Sequence, residues 1–213
     1  MAFTIIDAPQ RSPGWFAARM GKLTGSRAGD MLATIKSGEA AARRNLRVQL
    51  VLERLTNRPQ ESGFISQAMQ DGIDREPEAF ALYEALTGTV LMRSGFLAHS
   101  EHMAGCSLDG HVEDFKGIAE IKCPTEGVHW AYLRGGSIPA EYTAQITHNL
   151  WITGAEWCDW FSYNPHFPER LRMKLERFER DEAAIEQYQR KALAFLAEVD
   201  LEVAAALGME VLA

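Results

Sequence analysis

The sequence predicts a mixed α/β fold: one domain over residues 1–213, with a central mixed β-sheet flanked by helices and a long C-terminal helix. Two observations predict it. Segments of helical periodicity occupy much of the first ninety residues and recur after about residue 128 around two further strands, and short apolar runs punctuated by glycine occupy the stretch from about 95 to 123. The absence of an internal repeat, a low-complexity tract or a long Pro/Gly/Ser linker argues for one domain.

The elements follow in order. Ser12-Pro13 reads as a helix start, with Ser12 as N-cap and Pro13 at the first helical position, and that helix runs to about Met20. A second short helix follows Thr24-Gly25-Ser26. Longer helices are expected from about Glu39 to Thr56 and from Ser66 to Leu86, the latter stopping before Gly88. Strands are then predicted at Gly95–His99, Gly105–Leu108, His111–Glu113 and Gly117–Cys123. Helices at Val128–Arg134 and Ala140–Thr153 precede strands at Trp157–Tyr163 and Arg170–Leu175. Asp181 to Leu207, rich in Ala, Glu and Leu, is the long closing helix.

A chain of 213 residues, 46% hydrophobic and 24% charged, can bury a core without staples. No apolar run approaches the ~20 residues of a membrane span. The N-terminus lacks a basic region followed by an apolar one, so no signal peptide is expected. Cys106, Cys123 and Cys158 are odd in number and scattered, which argues against a disulfide framework or structural zinc and for a reducing cytoplasm. The net charge of −7 is unevenly spread: residues 1–60 carry +6 and residues 61–213 carry −13. Either a polyanion-binding surface lies beside a carboxylate-rich site, or the acidic residues merely keep the surface solvated.

The chemistry concentrates in Ser107-Leu108-Asp109-Gly110 and Gly117-Ile118-Ala119-Glu120-Ile121-Lys122-Cys123-Pro124. Alternation along a strand puts Ile118, Glu120 and Lys122 on one face and Ala119, Ile121 and Cys123 on the other. A hairpin would set Asp109 next to Glu120. Two carboxylates with backbone carbonyls suit a hard divalent cation, Mg²⁺ or Mn²⁺, which can activate water on a phosphodiester. Lys122 could then orient that water or stabilise developing negative charge. The bland alternative is a surface Glu–Lys pair. Glu76 interrupts an apolar helical seam of Gly72, Phe80 and Tyr83, so it needs a cation or a donor; a basic partner such as Arg75 would serve equally. Gln145 belongs to a polar stripe with His148 and Asn149, which either holds a ligand or faces solvent. Arg43, Arg47, Arg54 and Arg58 share one side of a helical wheel and could track a nucleic-acid backbone; a solvated helix face is the alternative.

Together these segments resemble the PD-(D/E)xK nuclease superfamily and, within it, the YqaJ-like viral recombinase family of phage-type exonucleases. The resemblance rests on Trp15 to Ser26 (W-x3-R-x-G-x-L-T-x-S), Gly72 to Glu76 (G-x3-E), Ser107 to Gly110 (S-x-D-G), Glu120 to Pro124 (E-x-K-C-P) and Tyr142 to Gln145 (Y-x-x-Q), in the family's order. It implies a restriction-endonuclease-like core and an enzyme digesting one strand of linear double-stranded DNA 5′→3′ from an end, leaving 3′ overhangs for strand annealing. It further implies a two-metal Mg²⁺ site, with Mn²⁺ as substitute, held by Glu76, Asp109, Glu120 and the Ile121 carbonyl. Lys122 would activate water, Gln145 would assist, and Arg19, Thr24, Ser26 and Ser107 would hold the DNA 5′-phosphate. A homotrimeric ring and a single-strand annealing protein are the implied partners. One departure is that Thr125-Glu126-Gly127-Val128 offers no arginine after the K-C-P segment, Arg134 coming later. The competing readings are a related endonuclease and a non-catalytic DNA-binding recombination module.

Overall fold

The computed structural model describes residues 2–60 and 66–208. In chain order the helices are α1 (Pro13–Arg19), α2 (Ala28–Leu32), α3 (Ala41–Thr56), α4 (Gln67–Thr87), α5 (Glu126–Gly135), α6 (Ala140–Thr153) and α7 (Glu182–Ala206). The strands are β1 (Phe3–Ile6), β2 (Leu23–Thr24), β3 (Phe96–His99), β4 (Ala104–Cys106), β5 (Gly110–His111), β6 (Gly117–Lys122), β7 (Trp157–Tyr163) and β8 (Met173–Glu179).

The strands form two mixed four-stranded sheets, the first ladder in the order β1-β3-β4-β2 and the second in the order β5-β6-β7-β8. Each contains one parallel pair, β2 with β4 and β6 with β7. The two faces of β6 enter different cores. Ile118 joins Leu46, Leu97, Ile146, Leu150, Trp160 and Phe195 in the main cluster. Ala119 and Ile121 pack with Ala79, Tyr83, Phe161 and Tyr163 beneath α4. The second ladder is therefore covered by α6 on one face and α4 on the other, as the period-2 reading of β6 predicts.

Local chemistry sets the helix ends. The Ser12 and Ser66 hydroxyls accept the backbone N–H groups of Trp15 and Met69, and the Asp181 carboxylate accepts those of Ala183 and Ala184. Helix α4 ends at Gly88, whose φ of 66° is the left-handed conformation that glycine adopts without a Cβ clash. Pro77 lies inside α4, one residue after Glu76.

Several strand expectations change: Leu23–Thr24 adds a short unpredicted strand, and the strand expected at His111–Glu113 is Gly110–His111, with Glu113 opening a 3-10 turn. Phe3–Ile6 forms a strand on the β3 edge, where none is predicted. The last strand begins at Met173 rather than Arg170, because Pro168 opens a 3-10 turn over Glu169–Leu171.

The predicted cationic track on α3 is corrected. Arg43 pairs with Glu39 and Glu198; Arg47 pairs with Glu39, Glu198 and Glu202; Arg54 pairs with Asp200 and also donates to the Gly21 carbonyl. The wheel is right, but this side of α3 packs against the acidic side of α7, so the three guanidiniums neutralise a helix–helix seam. Arg58 lies beyond the left-handed Asn57 that ends α3, so it is exposed and off the helix. Among the described residues, no helix is long and apolar enough to cross a membrane.

Candidate active site

The hairpin of β5 and β6 builds the centre. Antiparallel pairing of Gly110 with Ala119 brings Asp109, the next residue, level with Glu120. The Asp109 Oδ2 accepts the Ile121 backbone N–H at 2.7 Å, which ties the acid to the strand. Burial, and after it the charge of Glu120, pushes the Asp109 carboxyl up to about 7.

Glu120 is 2% exposed and held from several sides. Lys122 is in contact with its Oε1, Gln145 Nε2 donates to the same oxygen at 2.5 Å, and Asn149 Nδ2 approaches Oε2 at 3.4 Å. Gln145 and Asn149 are one turn apart on α6, so both amides face β6. Burial opposes the Lys122 ammonium, but the charges of Glu120 and Asp109 outweigh it and raise its pKa. The ammonium also lies 5.1 Å from the Tyr142 ring centroid. In this arrangement Lys122 is held as an ammonium against the Glu120 carboxylate.

A second cluster adjoins the first. Arg19 stacks over Trp15, 4.1 Å from the ring centroid, and its Nη2 lies 3.4 Å from Ser26 Oγ. Trp15 Nε1 donates to Ser107 Oγ at 2.8 Å, and the Thr24 and Ser26 hydroxyls are 3.4 Å apart. The four expected phosphate-holding residues are thus linked in one chain of contacts, Arg19 and Ser107 touching the Trp15 indole and Ser26 joining Arg19 to Thr24, a role the sequence reading did not give Trp15. Gly25 joins the two clusters: a Cβ there would fall 3.5 Å from Gln145 Cγ.

Glu76 departs from expectation. Its charge contributes to the rise of Asp109, yet its Oε1 is held by Arg93 at 2.9 Å. Among the described residues, no group of three His, Cys, Asp or Glu side chains is gathered tightly enough to enclose an ion. The expected three-acid cage is therefore not closed in this arrangement. Glu76 and Arg93 line a cleft of about 440 Å³ with Gln10, Ser94 and Leu108, the neighbour of Asp109. The donor set of Asp109, Glu120 and the Ile121 carbonyl is all oxygen and includes two carboxylates, which fits a hard divalent cation. Arg93 holds one oxygen of Glu76 and so competes with an ion for this acid. Arg93, Asn149 and Trp15 are the contributors missed as candidates. Two of them gave a signal in the sequence: Asn149 on the polar stripe with Gln145, and Trp15 at the head of the W-x3-R segment.

Residues 14–156 match the YqaJ-like viral recombinase domain. The structure is similar to an alkaline exonuclease, LHK-Exo, from Laribacter hongkongensis, at 36% identity and a TM-score of 0.83, covering 92% of this chain and 96% of that one. It is equally similar to LHK-Exo in complex with dAMP, with a TM-score of 0.84 at the same identity and coverage. A phage-related exonuclease from Haemophilus somnus 129PT shares the fold at 15% identity and a TM-score of 0.69, covering 87% of this chain and 96% of that one. No curated protein matches the chain.

Proposed function

The chain belongs to the YqaJ-like viral recombinase family, and from that premise we propose that it is a metal-dependent 5′→3′ exonuclease digesting one strand of linear duplex DNA. The 3′ overhangs it leaves would serve a single-strand annealing partner in phage-type recombination in the cytoplasm. One observation carries the reading: a carboxylate–lysine hairpin stands directly beside an arginine–hydroxyl cluster, so a DNA end gripped by its phosphate presents its first linkages to Asp109, Glu120 and Lys122.

In this reading Arg19, Thr24, Ser26 and Ser107 hold the terminal phosphate, the guanidinium supplying charge and the hydroxyls direction. A bound Mg²⁺, with Mn²⁺ as substitute, supplies water activation and charge neutralisation at the scissile linkage. Asp109, Glu120 and the Ile121 carbonyl hold the ion, and Glu76 extends the site to a second one. Gln145 keeps Glu120 Oε1 oriented. Lys122, as an ammonium, orients the attacking water and stabilises the negative charge that builds on the phosphorus oxygens. Family membership also supports a ring of three copies around the duplex.

The test is digestion of duplex DNA, labelled at the 5′ or the 3′ end, with Mg²⁺ present. Mononucleotides should leave from the 5′ end while the complementary strand stays intact, and covalently closed plasmid should persist. Asp109→Ala and Lys122→Ala should abolish release yet still bind ends. Cleavage of closed plasmid would point instead to an endonuclease, and release of no nucleotide to a binding module.

A further inference from the structure

We propose that Asn149 is a positioning residue, fixing the Glu120 carboxylate relative to the phosphate-holding turn Thr24–Ser26. The proposal rests on the nuclease reading above. Three observations carry it.

First, Asn149 is 1% exposed, on a face of α6 whose neighbours Ile146 and Leu150 belong to the main core. An aliphatic side chain would fill that place without the cost of burying an amide. Second, the two oxygens of Glu120 are unequally held. Oε1 is engaged by both Lys122 and Gln145, whereas Asn149 Nδ2 is the side-chain donor at Oε2. With Oε1 already fixed, Asn149 sets the rotation of the carboxylate, and so the direction in which its lone pairs meet Asp109. Third, Asn149 Oδ1 is buried and has no hydrogen-bond donor. It lies against Gly25, where a Cβ would fall 2.2 Å from Oδ1 and 3.3 Å from Cγ. The turn carrying Thr24 and Ser26 therefore rests directly on this amide, and only a glycine permits so close an approach. One face of Asn149 seats the phosphate-holding turn, and its amino group aims the carboxylate.

Asn149→Leu separates positioning from packing. Leucine keeps the branched shape at Cγ and removes the donor; Oδ1 has no partner to lose, but the buried Glu120 Oε2 loses one, so folding is verified by thermal melting before affinities are compared. In DNA-free protein, calorimetric Mn²⁺ affinity should fall about tenfold, with a comparable loss of kcat. KM for duplex ends should stay within about twofold, because no phosphate contact is removed. Asn149→Ala, measured below its melting temperature as the second variant, should show the same fall in affinity. Unchanged Mn²⁺ affinity in the folded variants would overturn the proposal. The controls are wild type, which should bind Mn²⁺, and Asp109→Ala, which should not. Failure of the controls defeats the nuclease reading and this proposal with it; sound controls with an unaltered Asn149→Leu defeat only the role of Asn149.

Discussion

Arg93 Nη1 lies 2.9 Å from Glu76 Oε1, so the acid on α4 carries a protein cation as its partner. A divalent ion engaging Glu76 competes with that guanidinium for the carboxylate's charge. Arg93 is about half exposed, so solvent screens the pair and the competition is modest. Arg93→Ala should lower the Mg²⁺ concentration for half-maximal digestion by about two- to fivefold. A metal titration of initial rates at saturating DNA checks this, and a rise in the Mg²⁺ requirement would contradict it.

The arginines on α3 are engaged by acidic partners, which predicts a part in stability rather than in DNA contact. Arg47 is mostly buried among Glu39, Glu198 and Glu202. Arg47→Ala should destabilise the fold by about 1 kcal/mol, since its partners remain partly solvated. The slope of log affinity for duplex DNA against log salt should stay unchanged, whereas loss of a phosphate contact would reduce it by about one. Urea melts and binding at several salt concentrations read the two effects separately.

Helix α4 is fastened to the second ladder by a buried carboxylate. Asp159, 2% exposed on β7, accepts two hydrogen bonds from Arg177, at 2.7 and 2.9 Å, and one from the Tyr83 hydroxyl at 2.7 Å. Tyr83→Phe should cost about 1 kcal/mol. Asp159→Ala should cost about 3 kcal/mol, because the tyrosine hydroxyl loses its acceptor and Arg177 its partner, although Arg177 is half exposed and recovers some hydration. Chemical denaturation of the purified variants gives both values.

His148 makes stability depend on pH. Its Nε2 faces the Gly105 carbonyl at 2.9 Å and must donate; its Nδ1 therefore accepts from the Tyr188 hydroxyl at 2.7 Å, which defines a neutral ring. Burial lowers its pKa from 6.5 to about 4. Between those values the unfolded chain binds a proton that the folded chain does not. The contribution is complete above pH 6.5 and is lost as pH falls toward 4, with a slope of up to about 1.4 kcal/mol per pH unit. Asp109, raised to about 7 from 3.8, acts with the opposite sign over much of the same range. The measurement is therefore the difference between wild type and His148→Gln: wild type should lose more stability than the variant between pH 7 and pH 5. Parallel curves would refute the assignment.

Much of this architecture was legible because local rules and burial agree. The caps at Ser12 and Ser66 and the left-handed glycine at position 88 mark helix ends whatever lies around them. Period-2 alternation in β6 assigned Glu120 and Lys122 to one face, and a short hairpin sufficed to bring Asp109 to them. Features set by distant contacts were not legible. A helical wheel locates Arg43, Arg47 and Arg54 on one side but cannot say that α7 lies opposite. The partner of Glu76 is 17 residues away in a loop without regular periodicity. Gly25 reads as a turn glycine until the α6 amide against it is seen.

Pro77 cannot return an amide hydrogen to the Ile73 carbonyl, so α4 loses one rung of its ladder beside Glu76. The part beyond this gap is bolted to the sheet through Tyr83, whereas the part before it has no comparably buried tether among the described residues. Glu76 thus sits where a stiff rod meets a more compliant one, and a small change of bend there would swing its carboxylate without unseating the core beneath.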